Sequence, residues 1–209
     1  MTTWDKIYKN YQKGGPAYAS LGFEIYPLFK KFISRSNFQL KSALDIGCGD
    51  GRYLKYLQRL GFKIDGIDSS PTAVEITRKL FKNNSRIKRV DMYQYRIPAE
   101  KYDFIFSINT LQHGKKAAIK RVINRIFRSL KDGGKIIITL PSVLQVKRWH
   151  SFKDSRKLLP GTYVPQTGPE KGLPHSFFTK KEIKKLFSEF KRVKMEMDKR
   201  GRWFITAEK

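Results

Sequence analysis

From Leu40 onward, short apolar runs alternate with stretches of helical periodicity, a pattern that predicts a βαβ succession and a parallel sheet. Leu40 to Ile46 reads as the first strand, Phe62 to Asp68 as the second, Arg86 to Asp91 as the third and Tyr102 to Ser107 as the fourth. Between the first two, Tyr53, Leu54, Leu57 and Leu60 recur at helical spacing until Gly61 stops the helix. Ser70 is placed to cap the next helix, with Pro71 at its first position. Ile119, Val122, Ile123, Ile126, Phe127 and Leu130 form one apolar helical face, which Asp132-Gly133-Gly134 ends before a fifth strand at Lys135 to Leu140. Thr179 and Glu182 have capping-box spacing at a late helix. Arg192 to Asp198 and Arg202 to Ala207 then read as two closing strands around a turn at Lys199 to Gly201.

The flanks are less patterned. Ala17 to Ser34 is expected to be a helix lying over the site, and Pro141 to Ser176 is a connection too long to be idle in a compact domain. The expected organisation is one domain over 1–209, with an N-terminal helical lid at 1–36, a core at 40–140 and an insertion at 141–178.

Composition narrows the class. An apolar content of 40%, with 13% aromatic residues, supplies a core, and no apolar run is long enough to span a bilayer. Met1 to Asn10 has no secretory h-region, and the single cysteine, Cys48, excludes an intrachain disulfide and fits a reducing cytoplasm. Forty-four Lys and Arg against 18 Asp and Glu give a net charge of +26, which favours polyanionic partners unless it only coats a solvated surface.

The most informative stretch is Asp45-Ile46-Gly47-Cys48-Gly49-Asp50-Gly51. A strand that ends in closely spaced glycines and opens a helix lets backbone approach a ligand, although a tight turn alone needs the same residues. The spacing is G-x-G-x-G, not the G-x-G-x-x-G of nicotinamide binding. This segment resembles motif I of the class I S-adenosylmethionine-dependent methyltransferases. Gly66-Ile67-Asp68-Ser69-Ser70, Val90-Asp91-Met92, Asp103 to Ser107 and Leu130 to Lys135 resemble later motifs of that family, in order. The resemblance implies an α/β, Rossmann-like three-layer sandwich with a mostly parallel seven-stranded sheet and an antiparallel last strand. It implies S-adenosyl-L-methionine as cofactor, bound by Asp45, Gly47, Cys48, Gly49 and Gly51, by Asp68 and Ser69 at the ribose, by Asp91 and Met92 at the adenine, and by Ser107 and Asn109. Each acid keeps a structural alternative: Asp45 as a loop anchor, Asp68 as a helix cap, Asp91 as a strand-end cap. Cys48 reads as a small residue beside the ligand rather than a nucleophile.

On the acceptor side, His113 follows the fourth strand and His175 lies in Pro174-His175-Ser176-Phe177-Phe178-Thr179, which resembles the acceptor loop of small-molecule members of the tellurite-resistance type. Both are candidate catalytic bases, and both also fit as packed structural residues. No Cys/His cluster has metal-ligand spacing, so no metal is expected. The fourth strand lacks the Pro-Pro segment that goes with base-amino methylation, and there is no Cys near it for attack on pyrimidine C5. Trp4 and Tyr8, in Trp4 to Tyr11, resemble a W-x-x-x-Y lead whose aromatics close over the cofactor, or pack an amphipathic start.

Three functions fit these residues. The first is a small-molecule methyltransferase. The second is a methyltransferase of RNA such as tRNA, using the basic face Lys115, Lys116, Lys120, Arg121, Arg125, Arg128 and Lys131, with Lys147, Arg148, Lys153, Arg156 and Lys157 beside Trp149 and Phe152. The third is a non-catalytic basic binding module on the same fold. The sequence leaves the acceptor atom and the oligomeric state open.

Overall fold

The computed structural model describes residues 3–13, 24–82, 86–148 and 154–209. In chain order, helices α1 (Thr3–Gln12) and α2 (Pro27–Arg35) precede β1 (Ser42–Ile46), α3 (Arg52–Arg59), β2 (Lys63–Asp68), α4 (Pro71–Leu80) and β3 (Ile87–Arg89). β4 (Tyr102–Ser107), α5 (Lys116–Ser129) and β5 (Leu130–Pro141) follow. The connection beyond carries α6 (Gln145–Arg148), β6 (Ser155–Leu159), β7 (Thr162–Pro165) and β8 (His175–Ser176). The chain closes with α7 (Lys180–Leu186), β9 (Lys191–Met197) and β10 (Arg202–Glu208).

Strand alternation builds three layers. Along β1, Ala43 faces one side of the sheet, while Leu44 and Ile46 face the other; Phe104 and Ile105 divide in the same way. One face packs on α5 and α7 through Ile119, Val122, Ile123, Ile183 and Phe187. The other packs on α2, α3 and α4 through Phe29, Leu54, Leu57 and Val74. The seven-stranded sheet runs β3-β2-β1-β4-β5-β10-β9. The first five pair in parallel, and β10 lies antiparallel between β5 and β9. The expected Rossmann-like α/β sandwich is therefore the observed one. No helix among the described residues is long and apolar enough to cross a membrane.

Three local expectations are corrected. Of the helix expected at Ala17 to Ser34, residues 17–23 lie outside the described residues, 24–26 are not helical, and α2 begins at Pro27, a residue suited to the first helical turn. Its Phe29 enters the core against Tyr53, Phe104 and Phe106, and the helix over the site is α1. The third strand stops at Arg89, leaving Asp91 and Met92 in the following turn. α5 ends at Ser129, and Asp132-Gly133-Gly134 forms an irregularity within β5, between the pairings Tyr102–Leu130 and Phe104–Lys135. The Pro141 to Ser176 connection contains a small antiparallel sheet, ordered β6-β7-β8. The capping box at Thr179 and Glu182 and the Ser70 cap, which accepts from the Ala73 N–H at 3.2 Å, are observed as read.

Phe104 is the densest point of the aromatic face, with the rings of Phe29, Phe32, Phe38, Phe62 and Phe106 centred 5.2–6.4 Å away. Truncation of so enclosed a ring leaves a cavity. Phe104→Ala is expected to cost about 3–5 kcal/mol, measured by urea unfolding with an unchanged m-value.

Candidate active site

β1 delivers a Gly-rich loop whose backbone is pinned from several sides. The N–H groups of Gly47 and Cys48 both bond the Ile67 carbonyl, at 2.8 and 2.9 Å, and Thr77 donates its hydroxyl to the Gly49 carbonyl at 2.7 Å. Gly47, Gly49 and Gly51 all have positive φ, at 81°, 56° and 77°. A Cβ at Gly47 would collide with the Thr110 side chain, and one at Gly49 with the Tyr8 hydroxyl. Both positions therefore require glycine by conformation and by space. Cys48 is buried against Gly66 of β2.

The next strand ends converge on this loop. Asp68 accepts from the N–H groups of Gly49, at 3.0 Å, and Ser70, at 2.9 Å, joining β2 to the loop, with Ser69 between. Ser107 is buried and donates its hydroxyl to the Ile46 carbonyl at 2.8 Å. Asn109 takes positive φ (58°), and its N–H bonds Thr139 Oγ1 at 2.8 Å. Asp91 is exposed and accepts the Tyr93 N–H at 2.6 Å, so its carboxylate caps a turn. Met92 is half-buried, and its carbonyl accepts from Arg125 at 2.9 Å.

The acids of the loop differ in their surroundings. Asp50 is neutralised by Arg52, with contacts of 2.8–3.0 Å. Asp45 is buried, and desolvation together with the charges of Asp68 and Asp50 pushes its carboxyl well above the usual range. Burial also raises the Asp68 carboxyl, against the lowering by its backbone N–H partners.

Helix α1 covers these ends. Asp5 caps the start of α4, accepting from Thr72 Oγ1 at 2.6 Å and the Thr72 N–H at 3.2 Å, and lies 3.3 Å from Lys9 Nζ. Tyr8 is buried beside Gly49, and the Trp4 ring meets His113 edge-on, with centroids 4.6 Å apart. A four-residue spacing puts Trp4 and Tyr8 on one helical face.

The fold joins His113 to His175 through a residue that sequence reading missed, Glu170. His175 Nε2 lies 3.0 Å from Glu170 Oε2, and His113 Nε2 lies 3.5 Å from Glu170 Oε1. The two imidazoles meet at right angles, 4.7 Å between centroids. The Ser176 N–H bonds the Gln112 carbonyl at 2.9 Å and its hydroxyl bonds the Gly114 carbonyl at 2.6 Å, which locks β8 onto the His113 loop. Burial works to raise the Glu170 carboxyl, but hydrogen bonding to both histidines overrides it and brings the value down to about 2. Burial lowers His113. Nothing in the spacing of Gly168 to His175 marks Glu170, because its partner His113 lies in a distant segment.

Part of the basic face serves the fold. Arg125 donates to the Tyr95 and Met92 carbonyls at 2.7 and 2.9 Å. Lys116 pairs with Glu182 at 2.6 Å, and Lys131 with Asp103 at 3.5 Å. Lys115, Lys120, Arg121, Arg128, Arg156 and Lys157 are exposed. Trp149, His150, Phe152 and Lys153 lie outside the described residues, as do the side chains of Tyr11, Lys147 and Arg148.

A family model described as a methyltransferase domain matches residues 18–190. The chain belongs to the class I S-adenosylmethionine-dependent methyltransferases. Phosphoethanolamine N-methyltransferase 2 of Caenorhabditis elegans is 30% identical over 105 residues, 48% of this chain and 24% of that protein. The chain spans about half or less of the length of the curated relatives it matches. Among solved structures, the PH0226 protein of Pyrococcus horikoshii OT3 superposes with a TM-score of 0.75 at 18% identity, covering 100% of this chain and 99% of that one. The 1,6-didemethyltoxoflavin-N1-methyltransferase of Burkholderia thailandensis, solved with S-adenosylhomocysteine, gives 0.67 at 17% identity, covering 98% and 85%.

S-adenosylmethionine is the cofactor of this family. The loop's glycines bring bare backbone to the surface, and its buried carboxyls carry negative charge when ionised. Because both carboxyls are raised, acid protonates them in the free protein and removes that charge. A cationic cofactor on this loop is therefore expected to bind more weakly as pH is lowered through the raised range of these carboxyls, with proton release on binding in calorimetry across buffers. Asp45→Asn should reduce that release. Affinity that stays flat across this range would contradict the assignment.

Proposed function

We propose that this chain transfers the methyl group of S-adenosylmethionine to a small-molecule acceptor held beneath α1, beside the 107–114 segment and the insertion that carries Glu170 and His175. The observation that carries the reading is the reach of one helix, whose Tyr8 meets Gly49 while its Trp4 meets His113. A roof over both ends suits a compact acceptor. The names of relatives support this, since they include methyltransferases of phosphoethanolamine and of a toxoflavin precursor.

When bound, the cofactor supplies a methyl group already activated on sulfur. In this reading Asp45, Gly47, Cys48, Gly49 and Gly51 cradle it, Asp68 and Ser69 take its ribose, Asp91 and Met92 flank its adenine, and Ser107 and Asn109 close the β4 side. His113 and His175, joined by Glu170, are the catalytic residues: they orient the acceptor and keep its attacking atom unprotonated.

Release of S-adenosylhomocysteine from a panel of small amines, alcohols and acids tests the reading. Turnover is expected with at least one class. His175→Asn should lower kcat about 10²-fold or more while leaving the affinity for S-adenosylhomocysteine unchanged. A chain that binds neither cofactor form refutes methyl transfer and leaves a basic binding module.

An RNA acceptor is the second reading, favoured by the exposed Lys120, Arg121 and Arg128 on α5 and Arg156 and Lys157 on β6. If tRNA binds through six or more phosphates, its affinity falls by about 10³-fold or more between 50 and 200 mM salt. Salt-independent turnover of a small acceptor decides for the first reading.

A further inference from the structure

The three side chains at the acceptor end have a property that the methyl-transfer reading does not use. His113 comes from the loop after β4, and Glu170 and His175 come from the insertion. One ligand atom from each lies within 4.8 Å of the other two, and they are the group of potential metal ligands found among the described residues. The Glu170 and His175 side chains are 8% and 1% exposed, so the atoms converge away from bulk water.

Neighbouring groups fix which nitrogens face Glu170. His175 Nδ1 lies 2.9 Å from the Leu173 carbonyl, which only accepts, so Nδ1 carries a hydrogen, and Nε2, 3.0 Å from Glu170 Oε2, is the nitrogen left to face a ligand. The Gln112 amide nitrogen donates to the Asn109 carbonyl at 2.9 Å and lies 3.3 Å from His113 Nε2. His113 Nε2, 3.5 Å from Glu170 Oε1, is turned to the same carboxylate. Two imidazole nitrogens thus converge on one carboxylate, and an ion bound among them takes the place of the protons that they share with it.

We propose that His113, Glu170 and His175 bind a divalent first-row transition metal, with Zn2+ as the type ion. The ligand chemistry matches. Two histidines and one carboxylate are a set used for Zn2+ and Fe2+, and they leave coordination positions open. Ligands about 2.0–2.2 Å from one ion stand about 3–3.5 Å from each other; the contacts of the two Glu170 oxygens, 3.0 Å to His175 and 3.5 Å to His113, fall in that range, and the three ligand atoms must draw together from a spread of up to 4.8 Å. The bond from His175 Nδ1 to a backbone carbonyl is the usual orienting contact behind a metal-bound histidine. The neighbouring Arg202, buried on β10, acts electrostatically on Glu170 and His113, and with a dication it leaves the pocket positive. Such a pocket selects an acceptor that presents an ionised oxygen, bound at an open position of the ion with its proton released to solvent. The role in turnover rests on the methyl-transfer reading, whereas the ion site rests on the cluster alone.

The test uses the full chain, stripped with EDTA and titrated with Co2+ while its visible absorption is followed, beside a separate titration with S-adenosylhomocysteine. One equivalent of Co2+ with d–d bands, displaced by Zn2+, is expected. Glu170→Gln and His175→Asn should weaken binding by at least the about 10–100-fold that loss of a merely orienting partner causes. His150→Asn, at the third histidine of the sequence, should bind Co2+ like the wild type. Thermal melts in EDTA check that the variants fold. Nitrogen-15 NMR of the wild-type histidines gives a readout that needs no variant, because Zn2+ should shift both Nε2 signals. Absent uptake, uptake unchanged in both variants, or a His175 that stays an imidazolium in the presence of Zn2+ overturns the inference. If S-adenosylhomocysteine binds while Co2+ does not, only the metal site fails; the reverse result sinks the methyl-transfer reading.

Discussion

The contact between Asp5 and the start of α4 is the one on which the closed site depends. α1 is a ten-residue helix, too short to be stable in water by its own hydrogen bonds. It pairs with no strand and needs an anchor. Asp5 supplies one by satisfying the Thr72 N–H and hydroxyl, where the dipole of α4 favours a negative charge. Hydrogen bonding to the Thr72 side chain holds its carboxyl below the usual range. With Asp5 fixed, helical geometry does the rest: Trp4 and Tyr8 flank it on the covered face. The same contact holds the helix whose Tyr8 meets the Gly-rich loop and whose Trp4 meets His113, so loop and histidine pair share one support.

The two ends of the site hold their acids in opposite states. Asp45 is pushed up by burial and by the charges of Asp68 and Asp50, and Asp68 by burial, which outweighs its backbone N–H partners. Glu170 meets the same burial and is driven down, because two imidazoles face it. Burial thus prevails over the acids at one end and is outweighed by imidazole partners at the other. This division sits inside a chain with a net charge of +26. Surface charge and site charge have opposite sign, so composition alone misrepresents what the pocket attracts. Arg125, Lys116 and Lys131 sharpen the point, since each is tied to carbonyl or carboxylate oxygens of the fold.

Much of the frame was legible because it repeats local rules. The alternation along β1, β2 and β4, the Ser70 and Thr179 caps and the apolar face of α5 each follow from neighbours close in sequence. The G-x-G-x-G loop was legible because positive φ leaves a compositional trace. Glu170 left none. Its role arises only when β8 docks on the loop at 112–114, a contact between segments that periodicity treats independently. The two glycines after Asp132 misled for a related reason: they signal a helix stop, and here they serve an irregular stretch of β5 after α5 has ended. Asp91 shows the limit for acids at strand ends, because turn capping and ligand binding call for the same residue.

Cys48 shows how the electrostatics and the packing of the loop act together. On the proposed reading this thiol lies beside a methyl sulfonium, a hazard, since a thiolate is the nucleophile such a donor alkylates. The side chain avoids this by position, buried against Gly66 of β2, where a larger residue would leave no room for the loop. It avoids it also by charge, because burial and the nearby carboxylates of Asp68 and Asp45 raise its pKa well above the usual value. The negative field that suits a cationic cofactor is thus the field that keeps the neighbouring sulfur protonated. Attraction of the methyl donor and protection from it have a single source.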